Sequence, residues 1–210
     1  MARAGRLIYD GFLVMWDGFW VVWLSNLFWL ALLIPVVTIP LAFAGLYACA
    51  HGIVRGESME WQSFFTGIKK YFNASLRWTG ANLLVLAVLA FYIWFFSARR
   101  YTAAGSSSTL LGFSLTLVLI WGILNMFTFP FMLEQTKPSY LNALRNSAVL
   151  FLKWPGQALG FTFINLVVIG LSVWLRFPWL IFGASLPALM SCLCVMDIVD
   201  QVNKTGLAKP

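Results

Sequence analysis

Apolar residues in this chain fall into long unbroken runs instead of alternating with polar ones. Residues 19–37 carry no charge over 19 positions, about the length that crosses a hydrocarbon core of roughly 30 Å. Residues 38–54 follow at once, and further apolar runs cover 79–97, 109–131, 156–175 and 179–196. The pattern predicts an all-α polytopic membrane helical bundle of about six transmembrane helices, forming a single integral membrane domain over 1–210. Pro35 and Pro40 break the chain between the first two runs, which predicts a tight helical hairpin. Its second arm places Ala44 with Ala48, Gly45 with Cys49, and Ala48 with Gly52 four residues apart, a spacing that lets helix backbones approach closely in lipid. Residues 1–18 read as an amphipathic lead-in at the interface. They include Asp10 and Asp17 and are too long and acidic for a signal peptide, so the N-terminus is expected to be retained.

Two segments between the runs carry a helical period of their own. In 58–72, Ser58 is placed to cap a helix whose Trp61, Phe64, Phe65, Ile68 and Phe72 recur at three- and four-residue steps. In 138–153, Pro138 suits a first helical turn, and Tyr140, Leu141, Leu144, Ala148 and Phe151 share a face. Both read as amphipathic cytoplasmic interfacial helices, lying among the headgroups or covering the inner end of the bundle. They end alike. Leu76-Arg77-Trp78-Thr79-Gly80 and Leu152-Lys153-Trp154-Pro155-Gly156 match at an offset of 76, consistent with a duplicated unit of descending span, surface helix and ascending span. A basic residue before Trp also suits any cytoplasmic membrane boundary.

Composition excludes the alternatives to a membrane. The 210 residues are 61% hydrophobic, 17% aromatic and 10% charged, too apolar for a disordered chain and too poor in polar surface for a water-soluble domain. The net charge of +7 comes from 14 Lys and Arg against 7 Asp and Glu. With six spans and both termini inside, 11 cations face the cytoplasm: Arg3, Arg6, Arg55, Lys69, Lys70, Arg77, Lys137, Arg145, Lys153, Lys204 and Lys209. Only 3, namely Arg99, Arg100 and Arg176, face outward. If 38–54 failed to cross, the better orientation would give 9 against 5, a weaker bias, so the positive-inside rule favours six spans, N-in and C-in. The cation excess is then a topology signal and requires no nucleic-acid partner. Gly105-Ser106-Ser107-Ser108 reads as a short flexible outer link.

Candidate chemistry is sparse. All six span interiors lack Asp, Glu, Lys, Arg and His, which counts against proton-coupled transport. Ser25, Asn26, Asn125 and Asn165 sit deep and read first as interhelical hydrogen-bonding groups; the alternative is a midplane lining for a neutral solute built from Asn26, Trp121, Asn125 and Asn165. His51 is the only histidine, and without a second ligand it reads as a packed or interfacial residue before a haem or pigment ligand. Cys192 and Cys194 point about 200° apart on a helix and cannot chelate together, so the run Met190 to Met196 reads as a sulfur-rich packing face. No catalytic motif or acid–base pair is present, so no enzyme, metal or cofactor is expected.

Leu33-Ile34-Pro35-Val36-Val37-Thr38-Ile39-Pro40, then Ala44-Gly45-Leu46-Tyr47, then Val54-Arg55-Gly56-Glu57, resembles the YesL-like family of small bacterial integral membrane proteins. Phe64, Phe65, Lys69, Lys70 and Phe72 look like the family's aromatic and basic continuation. Pro35, Thr38, Pro40, Gly45 and Tyr47 carry the motif, although Pro40 stands where the family usually has Gly. The resemblance covers residues 20–80 best. It implies a multi-pass protein of the bacterial cytoplasmic (inner) membrane, without known catalytic residues, and by association an accessory role beside a carbohydrate ABC permease. The residues alone favour a non-catalytic accessory or scaffolding subunit bound to other membrane subunits in the bilayer. An independent transporter or channel for a neutral solute is the alternative, and a subunit of a respiratory or photosynthetic assembly a further one.

Overall fold

The computed structural model describes residues 2–99, 106–175 and 177–204. Among these residues every regular element is helical: α1 (Ala2–Asp17), α2 (Phe19–Leu33), a 3-10 turn (Val36–Thr38), α3 (Ile39–Val54), α4 (Trp61–Arg99), α5 (Ser106–Leu133), α6 (Tyr140–Lys153), α7 (Pro155–Leu175), α8 (Phe177–Phe182) and α9 (Ser185–Lys204). Five stretches are long and apolar enough to cross a membrane, or six if the pair Tyr9–Asp17 and Phe19–Leu33, bent by 85°, counts as one. The chain is thus all-α, with the helices of a multi-pass membrane protein. Gly105, Arg100, Arg176 and Lys209 lie outside the described residues. Ser106 to Ser108 do not form a loop: they are the first turn of α5.

The first hairpin is held by its prolines, as expected, but its first arm is shorter than the run of apolar residues. α2 stops at Leu33, 15 residues long or about 22 Å: Ile34 still holds helical angles, and the chain leaves the helix at Pro35, which is extended at φ −85° and ψ 113° and has no N–H to continue the ladder. The Thr38 hydroxyl then sits between the carbonyls of Leu32 and Pro35, 2.6 Å from the latter, and satisfies backbone that the end of α2 leaves open. Pro40 falls in the first turn of α3, where its missing N–H costs nothing.

α3 lies at the centre with α9. A Cβ on Gly45 would stand 2.7 Å from the Phe64 ring, and one on Gly67 2.2 Å from the Cβ of Ala48. The small residues therefore permit close approach, and the helix they admit is α4. Tyr47 packs its ring 4.8 Å from Phe129, and Phe43 lies 5.0 Å from Trp78. Gly56, at φ 72°, ends α3: its N–H bonds Ile53 O and the next N–H bonds Gly52 O, both at 3.0 Å, the double bond that an αL glycine makes possible.

Four expectations are corrected, in whole or in part, beyond this turn. The helix starts at Trp61, not at Ser58, and Ser63 Oγ accepts from the Glu60 N–H at 3.1 Å, while the Met59 side chain folds over Gly52. The surface helix 58–72 and the span 79–97 are one helix of 39 residues, about 58 Å long, because nothing between Trp78 and Gly80 interrupts the hydrogen-bond ladder. Nor does its first half lie across the inner end of the bundle. With Gly67 on Ala48 and the Ser75 hydroxyl bonded to Pro40 O, it runs antiparallel along all of α3. The buried stripe is Phe64, Gly67, Ala74, Ser75 and Thr79; of the predicted face Phe64 is buried and Ile68 half-buried, while Trp61, Phe65 and Phe72 stay exposed.

α6 begins at Tyr140 instead of Pro138. Its buried positions are Ala143, Ser147 and Leu150, none of them on the apolar face read from the sequence, whose Leu141 is 74% exposed. Ser147 Oγ lies 3.3 Å from Thr128 Oγ1, so this helix is fastened to α5 by hydroxyls. The last apolar run, 179–196, is broken at Gly183 and Ala184 into α8 and α9.

Candidate functional site

The ionisable groups that meet inside this fold do so where two helices end. His51 lies in the last turn of α3, Arg55 caps it, and Glu134 follows α5 directly. His51 Nε2 is 2.8 Å from Glu134 Oε1, and the Arg55 guanidinium pairs with the other carboxylate oxygen. An ionised carboxylate only accepts, so Nε2 carries the proton and donates it to Glu134; Arg55 Nε, 3.3 Å from the same nitrogen, is then a neighbour and not its donor. Burial of Glu134 favours the neutral acid, but the His51 hydrogen bond and charge, with Arg55, outweigh it and hold the carboxyl below its usual range. This arrangement is an electrostatic clasp between the ends of α3 and α5. It holds Nε2 of His51, so a haem or pigment would have to take Nδ1. Glu134 went unnoticed in the sequence. The available signal was the shared membrane side of the ends of the second and fourth apolar runs, which puts Glu134 opposite His51 and Arg55.

The four candidate lining residues fall in three separate hydrogen-bonded contacts. Asn26 is fully buried and serves the break between α8 and α9: its Nδ2 donates to Leu180 O at 2.9 Å, and its Oδ1 accepts from the N–H groups of Ala184 and Ser185 at 3.0 and 3.3 Å. It thereby caps α9 from another helix. Asn165 donates to Ser191 Oγ at 3.0 Å, which ties α7 to α9. Trp121 and Asn125 sit one turn apart on α5. Trp121 Nε1 donates to Asn82 Oδ1 of α4 at 3.0 Å, while Asn125 Nδ2 donates back to Trp121 O at 3.0 Å. Asn125 Oδ1 and Asn165 Oδ1 are buried without a donor. Asn82, Ser191, Ser75 and Gln157, the last donating to Asp197 at 2.6 Å, are polar ties that the sequence did not single out.

Cys49, Cys192 and Cys194 are buried free thiols, and Met190 packs over Gly11 of α1. Among the described residues, no group of three or more His, Cys, Asp or Glu side chains is placed to hold a metal ion. No protein-family model, no curated protein and no solved structure matches this chain.

Proposed function

We propose that this protein is a non-catalytic accessory subunit of a larger complex in a bacterial cytoplasmic membrane, with six spans and both termini inside. The observation that carries the reading is the contrast between its interior and its surface. Asn26, Asn82, Trp121 and Asn165 are engaged in ties between helices, whereas the outer half of α4 and the facing part of α5 leave Leu84, Phe91, Trp94, Phe113 and Leu119 each more than half exposed. Large aromatic and aliphatic faces of this kind suit either lipid or the helices of another subunit. A carbohydrate ABC permease is the partner that the YesL-like resemblance of Pro35 to Tyr47 implies. Purification in mild detergent after membrane cross-linking, with mass spectrometry of the products, should recover one stoichiometric membrane partner linked to the outer half of α4. Recovery of the chain alone under several growth conditions would overturn the proposal, and recovery with a respiratory or photosynthetic complex would redirect it.

A second reading, a carrier for a neutral solute, is favoured by the buried carbonyl oxygens of Asn125 and Asn165, which a hydroxyl-rich ligand could satisfy. Reconstituted vesicles that accumulate no neutral sugar would remove it.

A further inference from the structure

Two depressions adjoin on the side formed by α5, α6 and α9. One is an apolar groove of about 240 Å³ walled by Phe131, Leu150, Trp154, Ile198, Val199 and Val202. The other is a polar basin of about 510 Å³ lined by Gln135, Lys137, Asn142, Arg145 and Asn146. Asn146 and Val149 belong to both walls, and the two spaces share that edge of α6. Asn142, Arg145, Asn146 and Val149 follow one helical stripe at three- and four-residue steps. The basin is lined by cations and amides and by no carboxylate. Lys153 adds a further cation at the wall of the groove. Among the described residues, none of Lys137, Arg145 and Lys153 takes part in an ion pair. Gln135 Oε1 accepts from the Ser139 N–H at 2.8 Å, which fixes the loop that carries Lys137.

We propose that groove and basin together hold one anionic phospholipid, its phosphate between Lys137 and Arg145 and an acyl chain along Phe131, Leu150 and Val199. A guanidinium fork and an ammonium are suited to a phosphate group, and an apolar trough that shares the Asn146 and Val149 wall with them suits a ligand that is anionic at one end and apolar at the other. A free phosphate would leave the groove empty, and a neutral lipid would leave the cations uncompensated. α6 is placed to meet such a ligand, because Leu141 and Leu152, 74% and 81% exposed, lie on its outer side. These are also the cations that the positive-inside rule assigns to the inner leaflet, whose anionic lipids attract basic side chains. The proposal does not depend on the accessory-subunit reading.

The test uses the full chain in a neutral detergent, examined by native mass spectrometry after addition of phosphatidylglycerol, of phosphatidylcholine with the same acyl chains, or of glycerol phosphate. One phosphatidylglycerol should be retained in preference to phosphatidylcholine, and glycerol phosphate should not displace it. The double variant Lys137→Gln with Arg145→Gln should weaken that retention about thirtyfold, from two charges at about 1 kcal/mol each. Val199→Trp, which fills the groove, should weaken it with every cation in place. Equal retention of the two lipids, or unchanged retention in the double variant, overturns the proposal. So does displacement by glycerol phosphate, which would make the basin a site for soluble phosphate. If a variant fails to fold, the unaltered protein still decides the matter, because its preference for phosphatidylglycerol must fall as ionic strength rises.

Discussion

The two halves that share the Trp-centred pentad fold differently, and one residue accounts for the difference. In the first half the amphipathic segment and the apolar span are a single helix, α4, that passes through Trp78 and Thr79 without interruption. In the second, α6 ends at Lys153, Trp154 takes a non-helical conformation, and Pro155 starts α7. Proline has no N–H to continue the ladder and disfavours helix in the residue before it, so the position that holds Thr79 in one half and Pro155 in the other decides between a rod and two helices. The packing differs as well. The first half brings backbones together through Gly45 and Gly67, and the second binds its helices through the Thr128 and Ser147 hydroxyls and the Phe127 and Phe151 rings. The separation of α6 from α7 places Trp154 where it can wall the lipid groove against α9.

The comparison can be broken at its hinge. Thr79→Pro should cut α4 as Pro155 divides the second half, at a cost of at least about 3 kcal/mol, read as a lower melting temperature in detergent. Pro155→Thr should cost little and lengthen α6 into α7, read as a longer spin-label distance between residues 141 and 171. Gly67→Ala sets its Cβ against that of Ala48 and should destabilise by about 1–3 kcal/mol. Ala48→Gly in the same chain should recover most of the loss, whereas Gly112, Gly122, Gly156 and Gly170 of the second half meet nothing within 4 Å.

The clasp joins the two halves, and Glu134→Gln should remove about 2 kcal/mol by leaving Arg55 and His51 without their anion. Because the folded carboxyl titrates below its ordinary value of 4.5, its contribution is complete above that pH and is lost as pH falls through the lower folded value. Thermal melts of the unaltered protein should therefore steepen below about pH 4.5, and those of the Gln variant should lack this component. Asn26→Ala should cost about 1 kcal/mol, visible as faster hydrogen exchange at Ala184 and Ser185.

Legibility in the sequence followed the range of the interactions. Pro35, Thr38 and Pro40 act on their own neighbours, so the hairpin could be read from a few residues. The spacing of Ala44, Gly45 and Ala48 showed that a helix would approach closely but not that α4 would be that helix. The apolar face of α6 read from the sequence holds Leu141, yet Ala143, Ser147 and Leu150 are the buried positions, because in lipid an apolar side chain can face outward as readily as inward. His51 was visible as a residue at the end of a span. Its partner lies 83 positions away, and no local pattern announces a pair so remote.

By itself the sequence determined that the chain forms long apolar helices of the kind that cross a membrane and that Pro35 and Pro40 turn the first hairpin. These outcomes depend on hydrophobic length and proline geometry, which act within one turn or one span. Only the tertiary structure decided that α4 is one rod along α3, that Glu134 closes on His51 and Arg55, and that Asn26 caps a helix more than 150 residues away. Those contacts depend on which helices are neighbours, and in lipid that choice is made by close packing and by polar partners that the chain brings together only on folding.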